Sequence, residues 1–514
     1  MSRARSKVTD EQLVAILAAI LSIGFFIWYD AHGLTSAFND ARIREIIARR
    51  VVVSRTPGLA QFGTTWLPLP SIFMLSLIWN DFLFRSGIAG AIPSMLGFVV
   101  GTFYLYRIGR LLTSSRAAGW VAAFAFMLNP SVLYMQGTAM SEIIAISAFI
   151  VAIYYALNLM RTKHAADLTK CAAAVAAGTL IRYENWVLAF ALAPVVGYAA
   201  WRSRGRALAE AWTILYSLLA FAGCAAWIVY NAVIFHDPLL SFYYGQSSHT
   251  YYANTPDYEI PARHHPFMAF KMYGLTVAGT VGWALLVLAL LGLGVCLWRF
   301  RLRLQTLPIY FFLFPFGFYL LVLYRGINTL SLPELGQGPY YNVRFGLLMV
   351  PAVGVFLAVL VTARRAIVRR VLVAIVLVAI MISTVVEFQQ TPFTVREAMV
   401  NVDQSQNGQQ EARWFGSHYK GGPVLITYVN DSTAIFYLLT RHDFPDRAFI
   451  TDANGSQFTD ALAHPESKVN WIFMNSDGSN GDSRIFTTLN GRKDWRKHFA
   501  LRASFGTALI YQRV

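Results

Sequence analysis

The sequence predicts a mostly α-helical, polytopic membrane protein that ends in a small α/β domain. Three observations predict it. Of 514 residues, 56% are hydrophobic and only 14% are Asp, Glu, Lys or Arg, where a soluble protein carries about a quarter charged residues. Apolar runs recur near the roughly 20-residue length that crosses a bilayer. From residue 388 onward the composition turns polar, and no spanning run follows.

The transmembrane elements follow from where the charge sits. The formal charge is +16, yet the basic residues fall in short bursts between apolar runs. The bursts are Arg3, Arg5 and Lys7; Arg107, Arg110 and Arg116; Arg161, Lys163 and Lys170; Arg202, Arg204 and Arg206; Arg299, Arg301 and Arg303; then Arg364, Arg365, Arg369 and Arg370. Each is separated from the next by two candidate spans, the pattern of cytoplasmic loops under the positive-inside rule. The charge therefore reports topology, and nucleic acid is not expected as a partner.

A cytoplasmic N-terminus and about eleven spans result, near 11–29, 87–106, 117–136, 142–160, 171–181, 186–201, 211–230, 274–298, 306–324, 345–362 and 371–387. The first ends in "GFFIWYD" with no small-x-small cleavage site, so it is expected to remain as an anchor. Spans 171–181 and 186–201 are short and enclose "IRYEN", as in a dip to the outer surface whose turn faces water or a cavity. Segment 66–84, "WLPLPSIFMLSLIWNDFLF", is apolar but proline-broken and is expected to lie as a helix in the outer interface. Cys171, Cys224 and Cys296 lie in or beside apolar runs, which indicates neither a disulfide framework nor a cysteine metal site.

Residues 1–387 thus form the transmembrane domain and 388–514 a soluble α/β domain. An odd number of spans from a cytoplasmic start places that domain outside the cell membrane, in the periplasm of an inner-membrane protein. "VLITYV", "VNWIFMN" and "ALIYQRV" read as buried or half-buried strands. Between the first two, "NDSTAIFYLLT" offers Asn430, Asp431 or Ser432 as a helix N-cap.

The span interiors contain no Asp, Glu, Lys, Arg or His, whereas ion-coupled transporters usually carry such groups at membrane depth. The acids beside spans map to outer ends: Asp40, Glu142 and Glu184, with Arg182 and Arg344 on the same side. Each has a plain structural explanation. Glu142 suits the first turn of a helix, Arg182 and Glu184 can pair across a turn, and Arg344 can snorkel to the headgroups. Residues 38–51 place Ile43, Ile46, Ile47 and Val51 on one helical face and Asp40, Arg42, Arg44, Glu45 and Arg49 over much of the remainder. An amphipathic helix on the outer surface with solvated charges is expected there.

Six stretches in order carry a resemblance to a known superfamily. They are "AFNDARIREIIARR", "PGLAQFGTTWLPLPS", "LNPSVLYMQGTAMSE", "LIRYENW", "DPLLSFYYG" and "YYNVRFGLLMVP". Together they resemble the bacterial branch of the GT-C membrane glycosyltransferases, which includes the protein O-mannosyltransferases and the lipid A aminoarabinose transferases. The resemblance implies a GT-C fold and transfer of a hexosyl or pentosyl unit from a polyprenyl-phosphate carrier to a lipid, glycan or protein acceptor. It also implies a catalytic carboxylate in the first outer loop, where Asp40 is the matching position and Asp30 the second choice. Several relatives carry an Asp-Glu pair there; this chain has Asn39-Asp40.

One acid suffices for an inverting transfer in which a single base deprotonates the acceptor hydroxyl. A double-displacement retaining route would want a second carboxylate. Arg182 and Arg344 are the natural partners of the departing phosphate, because guanidinium matches phosphate with paired hydrogen bonds. Glu142 and Glu184 could position the acceptor, hold the arginines or bind a cation, and Tyr183 and Tyr341 join them as acceptor-binding or supporting residues. No acid or His pair at firm metal-ligand spacing demands a metal; His264 and His265 are the only tempting cluster, and a divalent ion is possible without being required. Most of the tyrosines in "SFYYGQSSHTYYANTPDY" read as an interfacial belt. A whole-glycan transferase using a diphosphate carrier, a lipid-linked sugar flippase and a non-enzymatic scaffold are the competing readings.

Overall fold

A computed structural model of the chain describes residues 8–243, 252–253, 255–256, 259–427, 433–441, 444–476 and 484–514. The chain divides into two compact units.

The first unit takes residues up to Thr35, Leu67–Pro70 and Ala91–Ala398, and it is helical. Among the described residues eight helices are long and apolar enough to cross a membrane, nine if Arg206–Ala220 and Ala222–Phe235, bent by 44°, form one span. The outer faces of these helices fit a lipid solvent. In the helix Asp10–Ala31, Ile16, Ile20, Ile23 and Ile27 recur at helical spacing and stay exposed, an apolar stripe that suits contact with hydrocarbon. This is a multi-pass membrane protein.

About eleven spans are expected from hydropathy, and the difference has local causes. Span 117–136 is divided into Arg116–Met127 and Pro130–Met135. Asn129 caps the second piece through the N–H of Val132 at 3.0 Å, and proline favours the first position of a new helix. Span 171–181 is the end of the 15-residue helix Ala165–Thr179. Span 274–298 is broken between Pro266–Val281 and Trp283–Phe300 by Gly282, whose φ of +82° few other residues adopt. Conversely, 186–201 belongs to a full-length helix, Glu184–Arg204. The proline-broken segment forms two short helices, Leu69–Ile78 and Asp81–Arg85, the second capped by Asn80.

The second unit takes residues Ser36–Trp66 and Ser71–Gly90 together with Met399–Val514. Its sheet contains β1 (Val424–Leu425), β2 (Phe449–Ile450), β3 (Trp471–Asn475), β4 (Phe499–Phe505) and β5 (Ala508–Arg513), in the order β2-β1-β3-β5-β4. β1 runs parallel to β2 and β3, while β5 is antiparallel to β3 and β4. Phe458, Ile472, Met474, Leu489 and Trp495 pack a core against one face. β1, β3 and β5 fall within the three predicted strands. β2 has only two residues, and β4 is an edge strand interrupted between Leu501 and Ala503, so neither carries the alternation that marks a strand in sequence. The proposed caps Asn430, Asp431 and Ser432 lie outside the described residues.

Candidate active site

In the first unit the chain turns sharply after Thr179, with the N–H groups of Ile181 and Arg182 both donating to the carbonyl of Gly178 at 3.0 Å. That turn presents Arg182 just before Glu184 opens the next helix. The Arg182 guanidinium donates to Glu184 at 2.8 Å and 2.7 Å and to Glu142 at 2.8 Å. Its remaining contacts are the hydroxyls of Tyr319 at 3.2 Å and Ser141 at 3.4 Å. Tyr319 in turn donates to Glu184.

Glu142 sits in the first turn of Glu142–Thr162, only 1% exposed, and lies 3.2 Å from Nε of Arg344. Arg344 pairs with Glu397. A buried file therefore runs Glu184, Arg182, Glu142, Arg344, Glu397, with one more acid than base. Phe345 stacks on Tyr319 at 4.6 Å, and both guanidiniums lie within 6 Å of its ring. The Arg344 turn reaches this place because Gly346 has no side chain. A Cβ there would lie 2.3 Å from the Thr280 hydroxyl oxygen.

A small, partly open recess adjoins the file. Arg182, Glu184 and Asn185 form its polar end, and Phe149, Leu188, Phe314 and Leu348 form an apolar wall.

The structure thus brings together four of the residues singled out from sequence: Glu142, Glu184, Arg182 and Arg344. The Tyr183 ring packs instead beside Trp186 and Phe242. Tyr341 is 42% exposed and meets the Tyr252 hydroxyl at 3.0 Å. His264 and His265 are exposed, and among the described residues no group of three or more His, Cys, Asp or Glu is arranged to hold a metal ion. Asp30 is exposed near the end of its helix and accepts from the Thr35 hydroxyl at 3.1 Å.

Asp40 belongs to the second unit, half-buried in the first turn of the helix Asn39–Val53. The expectation of solvated charges on this helix is corrected: Arg42, Arg44, Glu45 and Arg49 are all buried. Arg42 donates to the carbonyl of Ser36 and lies 4.4 Å from the Tyr437 ring centre, and Arg44 covers Trp66 at 4.5 Å. Arg49 donates to the carbonyls of Ile78 and Trp79 and pairs with Asp81 and Asp446. Burial of Glu45 pushes its carboxyl up to about 8, despite the opposing charge of Arg42. The charged side of the helix is buried because other segments supply groups that receive it, among them Tyr437, Asp446, Asp81 and the carbonyls of Ile78 and Trp79.

Sequence reasoning missed Glu397 and Tyr319. Glu397 lies beyond the last expected span, in "FTVREAM", where it follows Arg396 and reads as half of an ordinary solvated charge pair. Tyr319 lies inside an apolar run, where a tyrosine hydroxyl leaves no mark on hydropathy.

These elements define the GT-C membrane glycosyltransferase fold, and the resemblance carried by the sequence motifs is borne out. A family model described as dolichyl-phosphate-mannose-protein mannosyltransferase matches residues 69–230, which include Glu142, Arg182 and Glu184. The structure is similar to ArnT from Cupriavidus metallidurans bound to undecaprenyl phosphate, with a TM-score of 0.57 at 12% identity over 98% of this chain and 97% of that one. It is also similar to the archaeal oligosaccharyltransferase AglB from Archaeoglobus fulgidus in complex with an inhibitory peptide and a dolichol-phosphate. There the TM-score is 0.51 at 11% identity, covering 98% of this chain and 74% of that one. No curated protein matches the sequence.

Proposed function

We propose that this protein transfers a sugar from a polyprenyl-phosphate carrier to an acceptor at the outer face of the plasma membrane, with inversion at the anomeric carbon. The observation that carries the reading is the buried file of Glu184, Arg182, Glu142, Arg344 and Glu397 beside an apolar-walled recess. Similar folds bind undecaprenyl phosphate and dolichol-phosphate, and the positive-inside pattern supports an outward-facing C-terminal domain.

In this reading Asp40 takes the proton from the acceptor hydroxyl as that oxygen attacks the anomeric carbon. The bond to the carrier phosphate breaks, and its electron pair leaves with polyprenyl phosphate. Arg182 and Arg344 stabilise the charge that builds on the phosphate oxygens, and their fixed positions avoid reorganisation during reaction. The phosphate competes with Glu142 or Glu184 for guanidinium donors, since Arg182 already has an acceptor at each of its three nitrogens.

That saturation favours a second reading of the file, as a clamp holding the turn at Arg182 against its neighbouring helices. The transfer reading is tested in native membranes supplied with a panel of polyprenyl-phosphate sugars. Release of free polyprenyl phosphate by wild type, and its loss in Asp40→Asn at equal expression, supports transfer with Asp40 as base. Equal release by both moves the base elsewhere, with Asp30 next. Binding of lipid-linked sugars without turnover supports a flippase.

A further inference from the structure

The helix that carries Asp40 begins without a cap of its own. Phe38 stands at the N-cap position and makes no side-chain cap, although the first N–H groups of a helix lack partners within it. The N–H of Asn39 donates instead to the side-chain oxygen of Asn401, 3.4 Å away and 362 residues further along. The side-chain oxygen of Asn39 accepts from the Ser405 hydroxyl at 3.0 Å.

The same helix is held along its length by later residues. Arg42 lies over Tyr437, and Arg49 reaches Asp446 at 3.1 Å. Past its end, Asn454 donates to the Thr56 hydroxyl and Gln61 to the carbonyl of Ala453, both at 3.0 Å. Arg55 donates to Gln457 at 3.2 Å and to the carbonyl of Arg447 at 2.9 Å. Residues 36–66 and 399–514 accordingly form parts of one compact unit.

We infer that the C-terminal domain positions the candidate base: Asn401 and Ser405 anchor the first turn that bears Asp40, and the rest of the domain fixes the direction of its helix. This deepens the proposed function and rests on Asp40 being the base. The domain then acts in the chemical step. Asn401 and Ser405 are positioning residues, because they act through Asn39. The effect is large in principle, since misplacing a reacting group by 1 Å lowers rates by roughly a hundredfold.

The test compares full-length wild type, Asn401→Ala and Asn401→Asp in detergent micelles. Amide hydrogen exchange is followed over residues 39–44, and turnover is followed with the polyprenyl-phosphate sugar panel. Asn401→Asp keeps an accepting oxygen. Exchange over residues 39–44 is expected to be roughly tenfold faster in Asn401→Ala, with membrane helices unchanged. Its kcat falls roughly 10- to 100-fold while KM for the donor stays constant, and Asn401→Asp restores both.

Unchanged exchange in Asn401→Ala overturns the inference whatever the turnover, and decides it alone if no sugar reacts. Faster exchange with unaltered kcat, or a loss that Asn401→Asp does not restore, overturns it too. Asp40→Asn run alongside separates the two proposals. If Asp40→Asn is inactive while Asn401→Ala is fully active, the base stands and the positioning role fails; if Asp40→Asn is fully active, the base assignment fails first. Should Asn401→Ala not fold, Ser405→Ala is judged by the same exchange and kcat criteria.

Discussion

Arg344 holds Glu397 at two points: its backbone N–H donates to Oε2 over 3.1 Å, and its guanidinium pairs with Oε1. Glu397 also accepts the N–H of Asn342 at 3.0 Å. One carboxylate thus fixes the turn around Asn342, whose φ is +58°, and the charge that turn presents. Truncating one member of a buried pair leaves the other desolvated and costs about 3–5 kcal/mol. Glu397→Ala is therefore expected to lower stability by about that amount. Glu397→Gln, which keeps an acceptor, should cost about 1–3 kcal/mol. Thermal unfolding in micelles should rank wild type above Gln above Ala, and an Ala variant as stable as wild type contradicts the account.

Asp40→Asn is expected to lower kcat by roughly 10²- to 10⁴-fold, the usual contribution of a general base, while KM for the donor changes little. The measurement is initial rates at varied lipid-linked sugar. A raised KM with normal kcat would make Asp40 a binding residue instead.

Glu184→Gln separates the catalytic from the clamping role of Arg182. If phosphate competes with Glu184 for the guanidinium, removing that negative charge tightens undecaprenyl-phosphate binding by about fivefold, or about 1 kcal/mol. Stabilisation of the protein by titrated undecaprenyl phosphate reports the affinity. A clamp alone predicts lower stability with unchanged lipid affinity.

Glu45 supplies a pH dependence. Its carboxyl titrates near 8 in the folded chain against an ordinary value of 4.5. Between those values the unfolded chain is ionised there while the folded chain keeps the proton, so stability falls as pH rises through the window and levels off above it. The slope from this one group is at most about 1.4 kcal/mol per pH unit. Glu45→Gln should flatten the melting temperature between pH 5 and 8, measured as a difference from wild type at each pH; equal slopes in the two proteins would refute the assignment.

Much of this is legible in the sequence. Charged residues next to apolar runs are conspicuous, so Glu142, Arg182, Glu184 and Arg344 stand out by their place in the chain alone. Glu397 does not, because a composition shift near residue 387 hides the fact that the chain up to Ala398 still belongs to the first unit. The helix Asn39–Val53 is legible as a helix and not as a buried one. A helical wheel sorts its faces, but Tyr437 and Asp446, which cover Arg42 and Arg49, lie nearly 400 residues away. Breaks such as Gly282 depend on a backbone angle, about which hydropathy is silent.

The interrupted edge strand β4 has a consequence for life in a crowded bilayer. An outer strand with a regular row of free N–H and C=O groups invites a neighbouring molecule to pair with it. The irregularity between Leu501 and Ala503, with Arg502 exposed between them, breaks that row and puts a positive charge on the margin. At the opposite margin β2 offers only two residues. Copies held in one plane, their domains colliding side by side, find no continuous template for zipping into aggregates.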